Sequence, residues 1–109
     1  MPIVGCVENV FRALSDSTRC AIVEELAARD GQSLFEICTT LITRRGISVS
    51  RQAVAKHIAV LSRAGVVDVR WSGRTRIHRL NRGPLHEAQQ WLAAHTATDT
   101  DTTEPEEYR

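Results

Sequence analysis

No stretch of this 109-residue chain reaches 18 consecutive apolar residues, so a transmembrane helix is not expected. The start lacks the basic segment and apolar run of a secretory leader. Cysteine is scarce: three residues, at positions 6, 20 and 38, an odd number with no CxxC pair. That excludes a disulfide framework and fits a reducing cytoplasm. Missing too are a glycine-rich phosphate loop, an HExxH pair, a Ser-His-Asp arrangement and a clustered carboxylate pair. No enzyme activity and no cofactor are therefore expected. No internal repeat is visible.

The net charge of +1 is small, but the charge is sorted along the chain. Residues 1–43 carry three arginines against six acids, −3; residues 44–82 carry ten Lys/Arg against Asp68 alone, +9. Residues 83–95 add only Glu87, and from residue 96 five acids face Arg109, −4. A local excess of that size points to a polyanion partner, which the overall charge conceals.

Apolar spacing predicts a mostly helical chain with one hairpin. Pro2 suits a first turn, and Ile3, Val4, Val7, Val10, Phe11 and Leu14 form a helical stripe. Ser15, Asp16 and Ser17 offer caps for a second helix whose buried stripe is Ile22, Val23, Leu26 and Ala27, ended by Asp30-Gly31. Ser33 with Glu36 makes a capping box for a third, with Leu34, Ile37, Cys38, Leu41 and Ile42 on one face. Ser48 or Ser50 caps a fourth helix with stripe Val54, His57, Ile58 and Leu61, stopped by Gly65. Val67 to Trp71 alternates as a strand, Ser72-Gly73 turns the chain, and Thr75 to Leu80 returns in a register the pattern leaves open. Asn81 to Pro84 reads as a connector before a last helix striped by Leu85, Ala88, Trp91 and Leu92. Residues 1–95 are expected to form one domain; residues 96–109, rich in Thr, Asp and Glu, are expected to be a disordered acidic tail.

A helix, a turn, a second basic helix and a basic hairpin describe a winged helix-turn-helix. Such a second helix enters the major groove by its N-terminus. Arg51 and Gln52 lie in its first turn, where guanine and adenine edges suit their bidentate donors and acceptors. Ala55 permits close approach, while Ser50, Lys56 and the helix amides suit phosphates. Arg70, Arg74 and Arg76 surround the hairpin turn and can press on the backbone or a flanking minor groove.

The same residues resemble a known family. Leu14-Ser15-Asp16-Ser17-Thr18-Arg19 is similar to the L-S-D-P-T-R opening of the second helix in ArsR/SmtB-type bacterial repressors. Ser50 to Ile58 resembles their S-x-x-x-V-S-x-H-L recognition helix, Leu61 to Val67 their L-x-x-A-G-L-V, and Gly73 to Leu80 their G-R-x-x-x-Y-x-L wing. The likeness spans residues 7 to 92 and implies a homodimer that represses transcription from an inverted-repeat operator. Dimerisation would run through the first and last helices, by way of Val4, Val7 and Phe11 with Leu85, Ala88, Trp91 and Leu92. Their apolar surface is also more than so small a helical unit can cover. Three departures stand out: Ala55 replaces a serine, His78 a wing aromatic, and about six more residues separate Leu41 from Ser50. The insertion should lengthen the third helix and add a basic turn, Arg44-Arg45-Gly46, able to reach phosphate.

No metal site is expected. The family's thiolate positions fall on Ser33 and Phe35, and Cys38 sits instead on the apolar stripe, where cysteine acts as a small hydrophobe. The last-helix metal pattern fails, since Pro84 precedes Leu85 and Thr98 stands where an acid is needed after His95. His86 and His95 then read as surface residues, and His57 as support near the hairpin. Two alternatives stay open: a thiol- or soft-metal-responsive repressor using Cys6, Cys20 and Cys38, and a winged-helix module that docks a protein. A small-molecule or redox effector is compatible with either repressor reading.

Overall fold

The computed structural model describes residues 6–97. They form α1 (Val7–Ala13), α2 (Ser17–Ala28), α3 (Leu34–Arg45), α4 (Arg51–Arg63), β1 (Val67–Ser72), β2 (Thr75–Leu80) and α5 (Arg82–Thr96). Five helices and one two-stranded antiparallel hairpin are the winged helix-turn-helix read from the sequence. The part of the first-helix reading that rests on Pro2, Ile3 and Val4 lies outside the described residues, as does the tail from residue 98.

Each helix start has a local chemical reason. Asp16 accepts the Arg19 N–H, Ser33 and Glu36 make both bonds of the capping box, and Ser50 rather than Ser48 accepts the Ala53 N–H. At the far end of α4, Gly65 adopts φ 79°, a left-handed conformation that strains any residue with a Cβ. That turn lets Val66 N–H reach the Leu61 carbonyl at 2.9 Å and Gly65 N–H the Ser62 carbonyl at 3.0 Å, closing the helix before β1.

The core is the meeting place of the helical stripes. Ile22, Leu26, Ile37, Leu41, Val54 and Leu61 are fully buried, each contributing about 1.5–3 kcal/mol by leaving water. Two stripes differ from the sequence reading. On α2, Ala27 is exposed while Ala21 and Glu25 are buried; on α3, Ile42 is exposed. The end of α3, as far as Arg45, reaches α2, where Glu25 meets Arg45 at 2.6 Å. A buried carboxylate is tolerated there because a guanidinium neutralises it.

Asn81 to Pro84 is not a connector but the first turn of α5. Asn81 caps it through the Gly83 N–H, and Pro84 sits where no intrahelical N–H is required. The hairpin turn falls one residue later than expected, on Gly73-Arg74, because Ser72 pairs with Thr75. Gly73 has φ 65° and Arg74 a negative φ, the pattern of a tight hairpin turn that needs glycine first.

The pairing Val69↔His78 settles the register that the sequence left open. Val67, Val69, His78 and Leu80 face the core, and Ile77 faces the other way beside Gly31. Gln32, buried in the α2–α3 loop, exchanges both backbone hydrogen bonds with His78, at 3.0 and 2.8 Å. Its side-chain amide donates to the Glu25 and Arg29 carbonyls at the end of α2, the first of which also accepts the Arg29 N–H. His78 Nδ1 lies 2.9 Å from the Gln32 carbonyl and donates to it. One loop residue thus ties the wing to the helical body.

Candidate nucleic-acid interface

α3 and α4 are the two helices of the motif, and α4 shows its polar face to solvent. Arg51, Gln52, Ala55, Lys56 and Arg63 are all exposed, while Val54, Ile58 and Leu61 anchor the opposite face in the core. Among the described residues Arg51, Lys56, Arg63 and Arg74 have no hydrogen-bonded or ion-paired partner. Ser50 is exposed with its Oγ already accepting the Ala53 N–H at 3.0 Å, so only its O–H proton is free to donate.

The three wing arginines are not one group. Arg74 stands at the tip of the turn. Arg76 lies opposite Trp71 on the face that carries Val69 and His78, its guanidinium 5.9 Å from the indole ring. Arg70 is on the reverse face, bonded to Asp68 at 2.9 Å. Between the inner face of the hairpin, the start of α3 and the length of α4 runs a groove in two parts of about 390 and 420 Å³ that share Leu34 and Arg76. Leu34, Ile58 and Val69, with Ser62, Arg63 and His78, line its more enclosed part; Phe35, Trp71, Arg51 and Arg74 line its mouth. Phe35 and Trp71 are 65% and 69% exposed, and no spacing rule singled either out as functional. Two large exposed aromatics beside arginines were the signal available for them.

The basic turn at the end of α3 is not free to meet phosphate as expected. Arg45 bonds Glu25 at 2.6 Å and Glu24 at 2.7 Å, and Arg44 stands 3.7 Å from Glu25. The Glu25 and Glu24 bonds hold the Arg45 guanidinium charged more firmly than usual. Helix lengthening occurs; its charge is spent on α2.

His57 also differs from its reading. It points away from the hairpin to the start of α2, with Nδ1 3.3 Å from Arg19 and 3.8 Å from Asp16. Arg19 in turn donates to the Ala13 carbonyl at 2.6 Å, so one cluster joins the end of α1, the start of α2 and α4. The Asp16 carboxyl is held below its ordinary value, chiefly by the Arg19 backbone N–H, then by the charges of His57 and Arg19. Glu36 is lowered by the Ser33 N–H and next by Arg29.

Cys6, Cys20 and Cys38 are not brought together. Among the described residues no three His, Cys, Asp or Glu side chains group as metal ligands, because the three thiols serve separate places. Cys6 precedes α1, Cys20 donates to the Leu14 carbonyl at 3.0 Å, and Cys38 packs against the core. Burial pushes the Cys38 thiol up, away from thiolate chemistry.

On the expected pairing face, Phe11 meets Trp91 edge-on at 5.6 Å, and Trp91 stacks on His95 at 4.1 Å. Trp91 and Leu92 stay 43% and 48% exposed, Val7, Phe11 and Leu85 are half-buried, and Val4 lies outside the described residues. Ala88 is already buried within the chain, where α5 crosses the core, and so offers little free surface. His86 is exposed.

Known proteins agree with this geometry. The pattern of a helix-turn-helix domain family matches residues 14–70. The HTH-type transcriptional regulator YuzN of Bacillus subtilis is 42% identical over 81 residues, 74% of this chain and 88% of that protein. An HTH-type transcriptional regulator of Mycobacterium tuberculosis is 36% identical over 74 residues, 68% of this chain and 63% of that protein. Among solved structures, an ArsR-like transcriptional regulator from Rhodococcus sp. RHA1 superposes with TM-score 0.67 at 37% identity, covering 84% of this chain and 80% of its own. The crystal structure of another ArsR family regulator gives TM-score 0.71 at 24% identity over 88% of this chain and 92% of its own, a likeness of fold. The chain belongs to the ArsR-like winged helix-turn-helix transcriptional regulators. It is a regulator with a DNA-binding domain, in a family that does not catalyse reactions.

Proposed function

We propose that the chain acts in the cytoplasm as a homodimeric repressor that reads an inverted-repeat operator, with residues 1–95 as its DNA-binding and dimerisation domain. The observation that carries this reading is the polar face of α4, unpaired among the described residues: Arg51, Gln52, Ala55 and Lys56 are exposed on a helix anchored from behind in the core. Arg51 and Gln52 read base edges, Ala55 admits close approach, and Ser50 and Lys56 hold phosphates. Arg74 and Arg76 carry the wing to the neighbouring backbone, and Arg70 reaches it only by leaving Asp68.

The dimer is supported by the half-open aromatic face of α1 and α5, where Val7, Phe11, Leu85, Trp91 and Leu92 lie together. A pair of chains also suits two half-sites about 34–36 Å apart. The test is selection of bound fragments from random DNA, followed by sedimentation of the free chain. A palindromic consensus with two chains per duplex is expected. Sequence-insensitive binding weaker than about 10⁻⁶ M would instead favour a module that docks an acidic protein.

A further inference from the structure

Phe35 and Trp71 stand out as exposed aromatics that neither the core nor the pairing face uses. A large apolar side chain left in water beside arginines calls for an occupant. Both line the mouth of the groove between α4 and the hairpin, with Arg51 on one wall and Arg74 and Arg76 on the other. The more enclosed part mixes apolar Leu34, Ile58 and Val69 with polar Ser62, Arg63 and His78. Trp71 is placed there by the register: it is two residues beyond Val69 on the same strand face, directly opposite Arg76.

The geometry of reading by helix and wing then identifies the occupant. If α4 fills a major groove and the wing tip enters the flanking minor groove, one sugar–phosphate strand separates the two. That strand has to pass between α4 and the hairpin, through this groove. We propose that the groove cradles that backbone strand, with a deoxyribose packed on Trp71 and Phe35 and the adjoining phosphates on Arg74 and Arg76. The chemistry fits, since a deoxyribose offers C–H faces to an aromatic ring and the phosphates on either side seek guanidinium. The indole also holds Arg76 from below, so its charge is aimed before DNA arrives. The role rests on the DNA-reading function proposed above, and it makes Trp71 a positioning and contact residue of that interface.

The test uses the whole chain and a fluorescent duplex bearing the sequence that wild type selects from random DNA. Binding is followed from roughly 50 to 200 mM salt. Trp71→Ala should weaken binding about tenfold at every salt concentration, with the slope of log K against log salt unchanged, because no phosphate contact is removed. Trp71→Phe should retain most of the affinity. Arg76→Ala should weaken binding and also flatten the slope by about 0.9. A second readout leaves Trp71 intact. In the wild-type chain, which has two tryptophans, added duplex should quench and shift an emission component that Trp71→Phe lacks. Affinity of Trp71→Ala within about twofold of wild type, or Trp71 emission indifferent to DNA, would overturn the proposal. Failure of the wild-type chain to select any sequence would instead sink the underlying DNA-reading function, which is a separate result.

Discussion

Two basic stretches lie close together in this chain, Arg44-Arg45 at the end of α3 and Arg51 to Lys56 at the start of α4, and the fold treats them oppositely. The first is folded back on Glu24 and Glu25 and serves as an internal clamp. The second is exposed and, among the described residues, has no ion-paired acid. Counted along the sequence, both enter the same +9 segment. The lesson is that positive charge marks a polyanion surface only where the fold has not already neutralised it. The wing repeats the contrast on a smaller scale, with Arg70 bonded to Asp68 while Arg74 at the tip has no partner among the described residues.

The largest expected effect is on the unpaired side. Arg51→Ala and Gln52→Ala should each cost about 1–3 kcal/mol at the cognate base and relax preference there, with the thermal melting point unchanged. Binding to a panel of operator variants measures this. Arg45→Ala should do the reverse. It leaves Glu25 buried without its closest partner, so the melting temperature should fall while operator affinity holds. If Arg45→Ala weakened DNA binding without altering the melt, the division between the two stretches would be wrong.

Next comes Arg74→Ala, which should weaken all sequences alike and reduce the salt slope by about 0.9. A smaller effect is expected from acid. Asp16 and Glu36 have carboxyls lowered on folding, so their contribution is present above the unfolded carboxylate range and is lost as pH falls through the lower folded values. Melting curves of Asp16→Asn and Glu36→Gln should lie slightly below wild type at neutral pH and converge with it in acid. Convergence at high pH instead would reverse the sign. The smallest change should come from Arg44→Ala, whose side chain is 69% exposed at 3.7 Å from its partner; less than about 0.5 kcal/mol is expected in chemical denaturation.

Much of the fold was legible because its signals are local. The capping box at Ser33 and Glu36, the stripe of α4 and the glycines at 65 and 73 each act within a few residues. The misread places share a different cause. Neither Glu25 nor Gln32 was singled out, because Arg45 lies twenty positions from the first and His78, the backbone partner of the second, lies in the wing. His57 was assigned to the wrong neighbour for the same reason, since Asp16 and Arg19 meet it only after α2 and α4 pack. The candidate site divides likewise. Arg51, Gln52 and Lys56 could be found from helix phase alone, whereas Trp71 and Phe35 acquire meaning only from the groove they share.

By itself the sequence determined the winged helix-turn-helix and the face of α4 turned to solvent, because caps, glycine turns and apolar periodicity are short-range physics. Tertiary structure alone decided which arginines remain available, since pairing depends on acids that the chain brings near only by folding. It also decided that Trp71 and Arg76 share one wall of a groove, a consequence of strand register. The two-residue turn at Gly73-Arg74 holds that register, and the long-range bonds between Gln32 and His78 dock the hairpin on the helical body to form the groove.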